Sequence, residues 1–293
     1  MKFGLPLLGL NPRAFPEVAQ VAEDSGFESV WMPEHLILPA EMPPTYPYSD
    51  TGYAAINGDT PMYDPWIVLA AVAQATERIR LANNIYVVPL RHPFVTARAV
   101  VTLDWISRGR VTLGAGVGWL EEEFDAAGLD FATRGQRMEE CIDVIRRLWT
   151  EDVITHHGEF FSFSDMKFQP KPTQKPTIPI EIGAHGAPAL RRAGCIGDGW
   201  VEVGSKNFDT FTKRLQIVMA ARRDAGRDGP FEVTSHLGSS LDDIRRCEEL
   251  GVTRMIVGPR SDPNFKPADT TRLRKEDFID WLKRYGDAVI SNA

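Results

Sequence analysis

Eight short apolar segments recur along this chain, and each is followed by a stretch in which apolar residues recur at helical spacing. Most segments are rich in β-branched residues, which is typical of parallel strands buried on both faces. Eight strand–helix units joined without a linker predict a (β/α)8 barrel, the TIM barrel, with a doubly wound open sheet as the alternative. The predicted strands are residues 3–8, 29–33, 80–88, 111–116, 178–183, 199–203, 231–236 and 254–258.

Residues at the expected helix boundaries support this pattern. Asp64 before Pro65 is typical of an N-cap followed by proline in the first turn. Thr133 and Gln136 have the spacing of a capping box, and Ser240 can cap the helix that follows it. These signals predict three helix starts between strands, as a barrel requires.

Two segments are longer than the loops that a minimal barrel needs. We expect the whole chain, residues 1–293, to form one domain that carries these two segments as insertions. Residues 36–62 are rich in proline and tyrosine, and residues 156–176 place four phenylalanines around a proline-rich stretch. Long loops in compact domains are usually functional or disordered. Both insertions are expected on the carboxyl face as a lid over the active site. Packing on the surface is the alternative, above all for residues 156–176.

Charge and cysteine content limit the partners of the chain. A net charge of −7 argues against nucleic acid or an anionic membrane as the main partner. No apolar run approaches the roughly 20 residues that a membrane span requires. Cys141, Cys195 and Cys247 are odd in number and widely spaced, which indicates free thiols in a reducing cytoplasm. We therefore expect a cytoplasmic protein that acts on a small molecule.

A glycine-rich run lies at the end of the fourth predicted strand. Gly114, Gly116 and Gly118 remove every second side chain there. Glycine within a strand usually marks the close approach of another backbone or of a flat ligand. The run is not a dinucleotide fingerprint, because Trp119 occupies the place of the third glycine. A ligand contact and a packing contact are both open at this point.

His35 is the strongest candidate for acid–base chemistry. It follows Glu34 at the carboxyl end of the second predicted strand, where barrel side chains reach an active site. An imidazole there can exchange a proton near neutral pH, and a neighbouring carboxylate can adjust its pKa. A structural histidine is the alternative.

The turn after the fifth predicted strand is Gly183-Ala184-His185-Gly186, and Pro188 follows at the start of a helix. Small residues at a helix N-terminus leave backbone N–H groups free for an anion, which suits a phosphate site. A simple tight turn is the alternative. The histidines, cysteines and acidic residues do not have zinc-site spacing, so no metal is expected.

Asn83, Asn84 and Ile85 interrupt the third predicted strand, whose other residues suit a barrel. Two asparagines inside a barrel strand favour a bulge or a strained backbone. Alternatively, they point into the barrel and hydrogen-bond to each other.

Taken together, these segments resemble the bacterial luciferase-like monooxygenase superfamily, and most of all its coenzyme F420-dependent oxidoreductases. The similarity extends over nearly the whole chain and rests on the order and spacing of short motifs. They are Gly26-Phe-Glu-Ser-Val-Trp31, Pro33-Glu-His35, Arg91-His-Pro93, residues 110–119, Arg134-Gly-Gln-Arg-Met138, Leu148-Trp-Thr150, His157-Gly-Glu159, Ile182-Gly183 and Gly197-Asp-Gly-Trp200.

The resemblance implies a barrel, commonly a homodimer, that binds a flavin or deazaflavin on its carboxyl face. It also implies a non-prolyl cis peptide at Asn84-Ile85 beneath the ring, and it places Glu34 and His35 at the reactive edge. The cofactor contacts that it implies are Asn84, Ile85, Gly116, Val117, Gly118, Gly183, Ala184, His185 and Gly186, the last four near the phosphate.

The expected function is F420-dependent hydride transfer to or from a small organic substrate. His35 is expected to give or take the accompanying proton, with Glu34 orienting it. Trp31, Trp119 and the tyrosines of residues 36–62 are expected to exclude water.

Three alternatives remain open. With reduced FMN, the same pocket would activate oxygen as a two-component monooxygenase. A non-catalytic cofactor binder and an unrelated sugar-phosphate barrel enzyme that uses the strand ends near Gly238 and Gly258 are the others. Trp119 stands where the sugar-phosphate dehydrogenase branch of the family has a glutamate, which argues against glucose 6-phosphate as the substrate.

Overall fold

The computed structural model describes residues 1–265 and 273–293 and contains a closed barrel of eight parallel strands. The strands of the chain are β1 (Lys2–Pro6), β2 (Ser29–Met32), β3 (Arg80–Asn83), β4 (Tyr86–Val87), β5 (Val111–Gly116), β6 (Ile154–His157), β7 (Ser162–Met166), β8 (Ile180–Ala184), β9 (Gly199–Glu202), β10 (Glu232–Ser235) and β11 (Arg254–Ile256). Because β1 pairs with β11 and β3 pairs with β5, the sheet has no open edge. The TIM-barrel prediction is confirmed, and an open sheet is excluded.

Helices surround the barrel in the alternating order that the sequence predicts. They are α1 (Phe15–Asp24), α2 (Pro65–Ala75), α3 (Pro93–Ser107), α4 (Glu121–Ala126), α5 (Arg134–Thr150), α6 (Ala187–Ile196), α7 (Phe208–Asp224), α8 (Leu241–Glu249) and α9 (Lys275–Ala288). Within residues 1–265 and 273–293, none of the helices is long and apolar enough to cross a membrane.

Two of the three predicted helix caps are confirmed. Asp64 accepts hydrogen bonds from the backbone N–H groups of Trp66 and Ile67, and Ser240 forms a capping box with Asp243. The capping box predicted at Thr133 is wrong. Residues 131–133 form a 3-10 turn that runs directly into α5, and the Thr133 hydroxyl donates back to the Asp130 carbonyl instead.

The barrel interior is charged at its amino end. Arg254 donates to both carboxylate oxygens of Glu181 at 2.9 Å and to Glu28 at 3.0 Å. The guanidinium also lies 5.2 Å from the ring of Trp31. Buried charges are tolerated only when they are paired and hydrogen-bonded, as these are. The composition of the strands suggested that both of their faces are apolar. At the amino end of the barrel, the inward faces carry paired charges instead.

The two insertions lie in different places. Residues 36–62 cross the carboxyl face, and several of them line the cavity described below. Residues 156–176 do not form a lid. Strands β6 and β7 make an antiparallel hairpin, and the chain after it packs on α3: the Trp105 indole donates to the Lys171 carbonyl, and Asp104 accepts from Thr173.

The physical reason is the position of this segment in the chain. It follows helix α5 and precedes strand β8, so it connects a helix to a strand and not a strand to a helix. Only strand-to-helix loops emerge at the carboxyl face of a barrel. The prediction that residues 156–176 sit on that face was wrong, and packing on the outer helices is what the structure shows.

The glycine run on β5 makes room for the third barrel strand. That strand is broken between β3 and β4 by a cis peptide between Asn84 and Ile85, where the sequence predicts a bulge. A Cβ atom on Gly114 would overlap the Asn83 carbonyl, and one on Gly116 would overlap the Ile85 side chain. The first two glycines of the run therefore serve a packing contact, one of the two possibilities left open by the sequence.

This contact predicts that Gly114→Ala is destabilising. The added methyl group meets a backbone carbonyl, which cannot rotate away as a side chain can, so we expect a loss of about 1–3 kcal/mol. Gly229→Ala is the matched control, since a Cβ there has no atom within 4 Å. Thermal unfolding of both variants tests this. Equal midpoints would contradict the close approach.

Candidate functional site

A cavity of about 380 Å³ lies at the carboxyl ends of the strands. The strand ends supply its floor, and the residue 36–62 insertion supplies its outer wall. Its lining residues are Leu8, Pro33, Glu34, His35, Tyr46, Tyr48, Ala54, Ala55, Ile56, Met62, Asn84, Ile85, Val87, Val117, Gly118, Trp119, Gly183, Val203, Gly204 and His236. It has the size and the largely apolar lining of a small-molecule site.

His35 is held by a carboxylate from helix α4. Its Nδ1 lies 3.0 Å from Oε2 of Glu123, whose side chain is fully buried. The other oxygen of Glu123 accepts from the backbone N–H of Leu36 and of Ile37. Because Glu123 accepts the Nδ1 proton, Nε2 is the nitrogen available for exchange, and it has no hydrogen bond to any residue that the structure describes.

Glu34 does not orient His35, so that prediction was wrong. Its carboxylate accepts from the Arg91 guanidinium at 2.6 Å and from the Val87 backbone N–H at 2.9 Å. Burial raises the pKa of Glu34, and the neighbouring Arg91 opposes that rise. Adjacent residues leave an extended segment in opposite directions. Glu34 therefore fixes the start of α3 and strand β4, while His35 reaches across to α4.

His236 is a site residue that the sequence analysis missed. Asn84 donates to Nε2 of His236 at 2.8 Å, and Nδ1 of His236 donates to the Glu202 carbonyl at 2.9 Å. Burial lowers the pKa of His236, which favours the neutral imidazole that both contacts require. The signal was present, because His236 directly follows β10, just as His35 follows β2.

Ile85 forms the floor of the cavity. Its side chain lies over Gly116 and Gly183, where a Cβ atom would collide with it. Val117, Gly118 and Gly183 line the cavity. Gly116 and Ala184, which were expected to contact the cofactor, are buried beneath it and line neither this cavity nor its neighbour.

A row of aromatic rings closes the outer side of the cavity. Ring centroids are 5.8 Å apart between His35 and Trp119, 4.9 Å between Trp119 and Tyr46, 5.0 Å between Tyr46 and Tyr48, and 5.1 Å between Tyr48 and His185. Burial raises the pKa of Tyr48 to about 12. Trp119 and the tyrosines are thus placed to exclude water.

Trp31, the other tryptophan expected in this wall, is not there. It is buried inside the barrel, where its indole N–H donates to the Ser29 hydroxyl at 2.8 Å. Side chains alternate between the two faces of a strand, and this alternation along β2 points Trp31 into the barrel, below the cavity.

A neighbouring cavity of about 570 Å³ extends from the same wall to the start of helices α5 and α6. It shares Tyr48, Val117, Gly118, Trp119 and Gly183 with the first cavity.

Arg134 and Arg192 line this second cavity. The Arg134 Nε has no hydrogen-bond partner in the described parts of the chain. Gly186 begins α6 without a side-chain cap, so its first N–H groups are available to an anion. Arg134 lies within the motif Arg134-Gly-Gln-Arg-Met138, but the sequence alone did not predict a role for it.

His185 is engaged with the protein. Its Nδ1 donates to the Val203 carbonyl, and its Nε2 accepts from Arg214. Burial lowers the pKa of His185, in keeping with a neutral ring. It therefore shapes the wall between the two cavities and does not present a free imidazole N–H to an anion. In residues 1–265 and 273–293, no group of three His, Cys, Asp or Glu side chains could hold a metal ion.

Comparison with known proteins identifies the family. The family model described as luciferase-like monooxygenase matches residues 3–250. The chain belongs to the luciferase-like monooxygenase family. It is 34% identical to an uncharacterized protein of Mycobacterium tuberculosis over 269 residues, which cover 90% of this chain and 92% of the relative. It is 32% identical to an F420-dependent glucose-6-phosphate dehydrogenase of Microbacterium testaceum over 272 residues, which cover 92% of this chain and 69% of the relative.

Solved structures of luciferase-like proteins share the fold. A coenzyme F420-dependent tetrahydromethanopterin reductase from Methanopyrus kandleri superimposes with a TM-score of 0.76 at 20% identity, over 99% of this chain and 98% of its own. The oxygenating component of a Pseudomonas putida 3,6-diketocamphane monooxygenase, solved with FMN, gives 0.63 at 19% identity, over 80% and 66%. Both structures share the fold of this chain, and the family match together with the related sequences shows that this luciferase-like protein is an enzyme.

The lowered pKa of His236 predicts an acid-sensitive fold. Below about pH 6.5 the unfolded chain binds a proton at this imidazole and the folded chain does not, so stability falls as pH falls. We expect the melting temperature to drop less steeply between pH 7 and 5 in His236→Gln than in the parent protein. His157→Gln, on the exposed hairpin, is the control. Equal slopes in all three proteins would contradict this.

Proposed function

We propose that this luciferase-like protein is an F420-dependent oxidoreductase that transfers a hydride between the deazaflavin and a small organic substrate. The observation that carries the proposal is the His35–Glu123 pair, which presents Nε2 of His35 to a cavity above Ile85. The relatives named as F420-dependent at more than 30% identity support the choice of cofactor.

The residues present fit a flat ring with a charged tail. Ile85 and the glycines beneath it give a level floor, and the aromatic row faces that floor from the other side. The tail would extend into the second cavity, where Arg134 and the start of α6 offer positive charge to a phosphate, while Arg192 is paired with Glu139 at 2.8 Å.

F420 supplies hydride chemistry at its C5 position when it is bound. The protein contributes the proton and the geometry. His35 gives or takes a proton at Nε2, and the buried Glu123 carboxylate accepts from Nδ1 and so keeps the ring in one orientation. Trp119, Tyr46 and Tyr48 exclude water from the reacting atoms, which strengthens these electrostatic contacts.

The cofactor assignment predicts tight binding of F420 and weak binding of FMN in a fluorescence titration of the purified protein. Arg134→Ala should weaken F420 binding about tenfold, because one charged contact to a phosphate is removed. Arg191→Ala is the control, because Arg191 is an exposed arginine on α6. This variant should bind F420 as tightly as the parent protein does. A preference for FMN would instead indicate the oxygen-activating chemistry of the FMN-dependent monooxygenases.

The acid–base assignment predicts that His35→Ala loses 10²–10⁴-fold in turnover where chemistry limits the rate, a typical general-acid contribution. Glu123→Gln should lose less, because the amide oxygen can still accept from Nδ1 of His35 and only the stronger hydrogen bond to a carboxylate is lost. Asp125→Asn on the exposed side of α4 is the control. Unchanged turnover in Glu123→Gln, as in Asp125→Asn, would reduce Glu123 to a packing role.

We further propose that two copies pair through the outer faces of α2 and α3. These neighbouring helices carry exposed apolar side chains, with Ile67 73%, Val95 59% and Trp105 54% exposed. A helix that is apolar on every side is normally covered by another protein surface.

Sedimentation should show a dimer that Ile67→Asp converts to a monomer, because a charge would be buried at the interface. Ala225→Asp, an exposed change just after α7, should leave the dimer intact. A monomeric parent protein would contradict this proposal.

A further inference from the structure

We propose that the substrate is a neutral, largely apolar molecule, whose reactive end lies beside His35 and whose body occupies a third and larger cavity. This inference rests on the proposed function, because it assigns the ring to the His35 cavity. The third cavity has a volume of about 800 Å³ and lies beside the His35 cavity on the side away from Arg134.

The two cavities meet at a common wall. Leu8, Pro33, Ala55, Ile56 and Met62 line both of them. Two of these residues follow β1 and β2, and the other three come from the residue 36–62 insertion. The larger cavity is therefore close to His35, and a molecule held there needs to extend only a short distance to reach it.

The deep part of the larger cavity is apolar. Leu7, Phe15 and Met32 are nearly inaccessible to solvent and line it, together with the half-buried Leu10. Polar side chains line the more exposed part of the cavity, and Lys275 among them is paired with Glu17 at 2.8 Å. They are Asn11, Thr60, Arg260, Arg274, Lys275 and Glu276. Burial of a hydrocarbon body is the favourable interaction that such a lining offers.

The charges near His35 argue for a neutral reactive end. Among the described residues, Glu34 is the one carboxylate that lines the His35 cavity, and its charge is matched by Arg91. In the part of the chain that the structure describes, lysine and arginine are absent from that lining. A phosphate beside the ring would lose its hydration without a cation in return, which is costly. This chain is thereby distinguished from relatives that act on a sugar phosphate.

A series of 2-alkanones from butanone to dodecan-2-one tests this by calorimetry, on the protein with and without F420. The carbonyl is neutral, and the chain length measures the apolar cavity. We expect the affinity to rise about three- to fourfold for each added methylene until the cavity is full. Glucose 6-phosphate should not bind. An affinity independent of chain length would overturn the inference.

Ala55→Phe should abolish the gain for long chains, because the ring would fill the common wall. Ala40→Phe is the matched control, because Ala40 is in the same insertion but lines neither of the two cavities. If Ala55→Phe does not fold, Leu10→Gln provides the second variant, with a smaller gain per methylene. Identical behaviour of the cavity variant and the control would overturn the inference. Retained chain-length dependence without F420 binding would overturn the cofactor assignment alone.

Discussion

The site depends on how closely the third barrel strand approaches strand β5. Only glycine fits at position 114, where the Asn83 carbonyl lies, and at position 116, where the Ile85 side chain lies. That approach turns Ile85 upward as a floor and directs Asn84 to His236. A side chain at either glycine would displace the floor and the hydrogen bond together.

A second constraint joins the barrel to the short helix α4. Glu123 accepts from His35 and from the backbone that follows it, so the carboxyl end of β2 and the loop after β5 are fixed relative to each other. Glu34 makes an analogous connection to Arg91 and strand β4. Adjacent acidic and basic groups on one segment thus have separate tasks: one organises the scaffold and the other faces the cavity.

Much of this architecture follows from the sequence, because strand and helix periods are local properties. The barrel, the break at Asn84-Ile85 and the position of His35 are of this kind. The partner of His35 does not follow from the sequence, because Glu121, Glu122 and Glu123 are consecutive. Only the packed fold shows that the third of them is the buried one. Residues 156–176 were wrongly predicted to lie on the carboxyl face, although the sequence pattern already showed that this segment follows a helix.

The most direct test of the central claim is a crystal structure of the complex with F420. The account predicts that the deazaflavin ring lies on Ile85, with Nε2 of His35 facing its C5 edge and Nδ1 still bound to Glu123. A ring bound elsewhere on the carboxyl face, or a His35 side chain that leaves Glu123 and turns away from the ring, would contradict it.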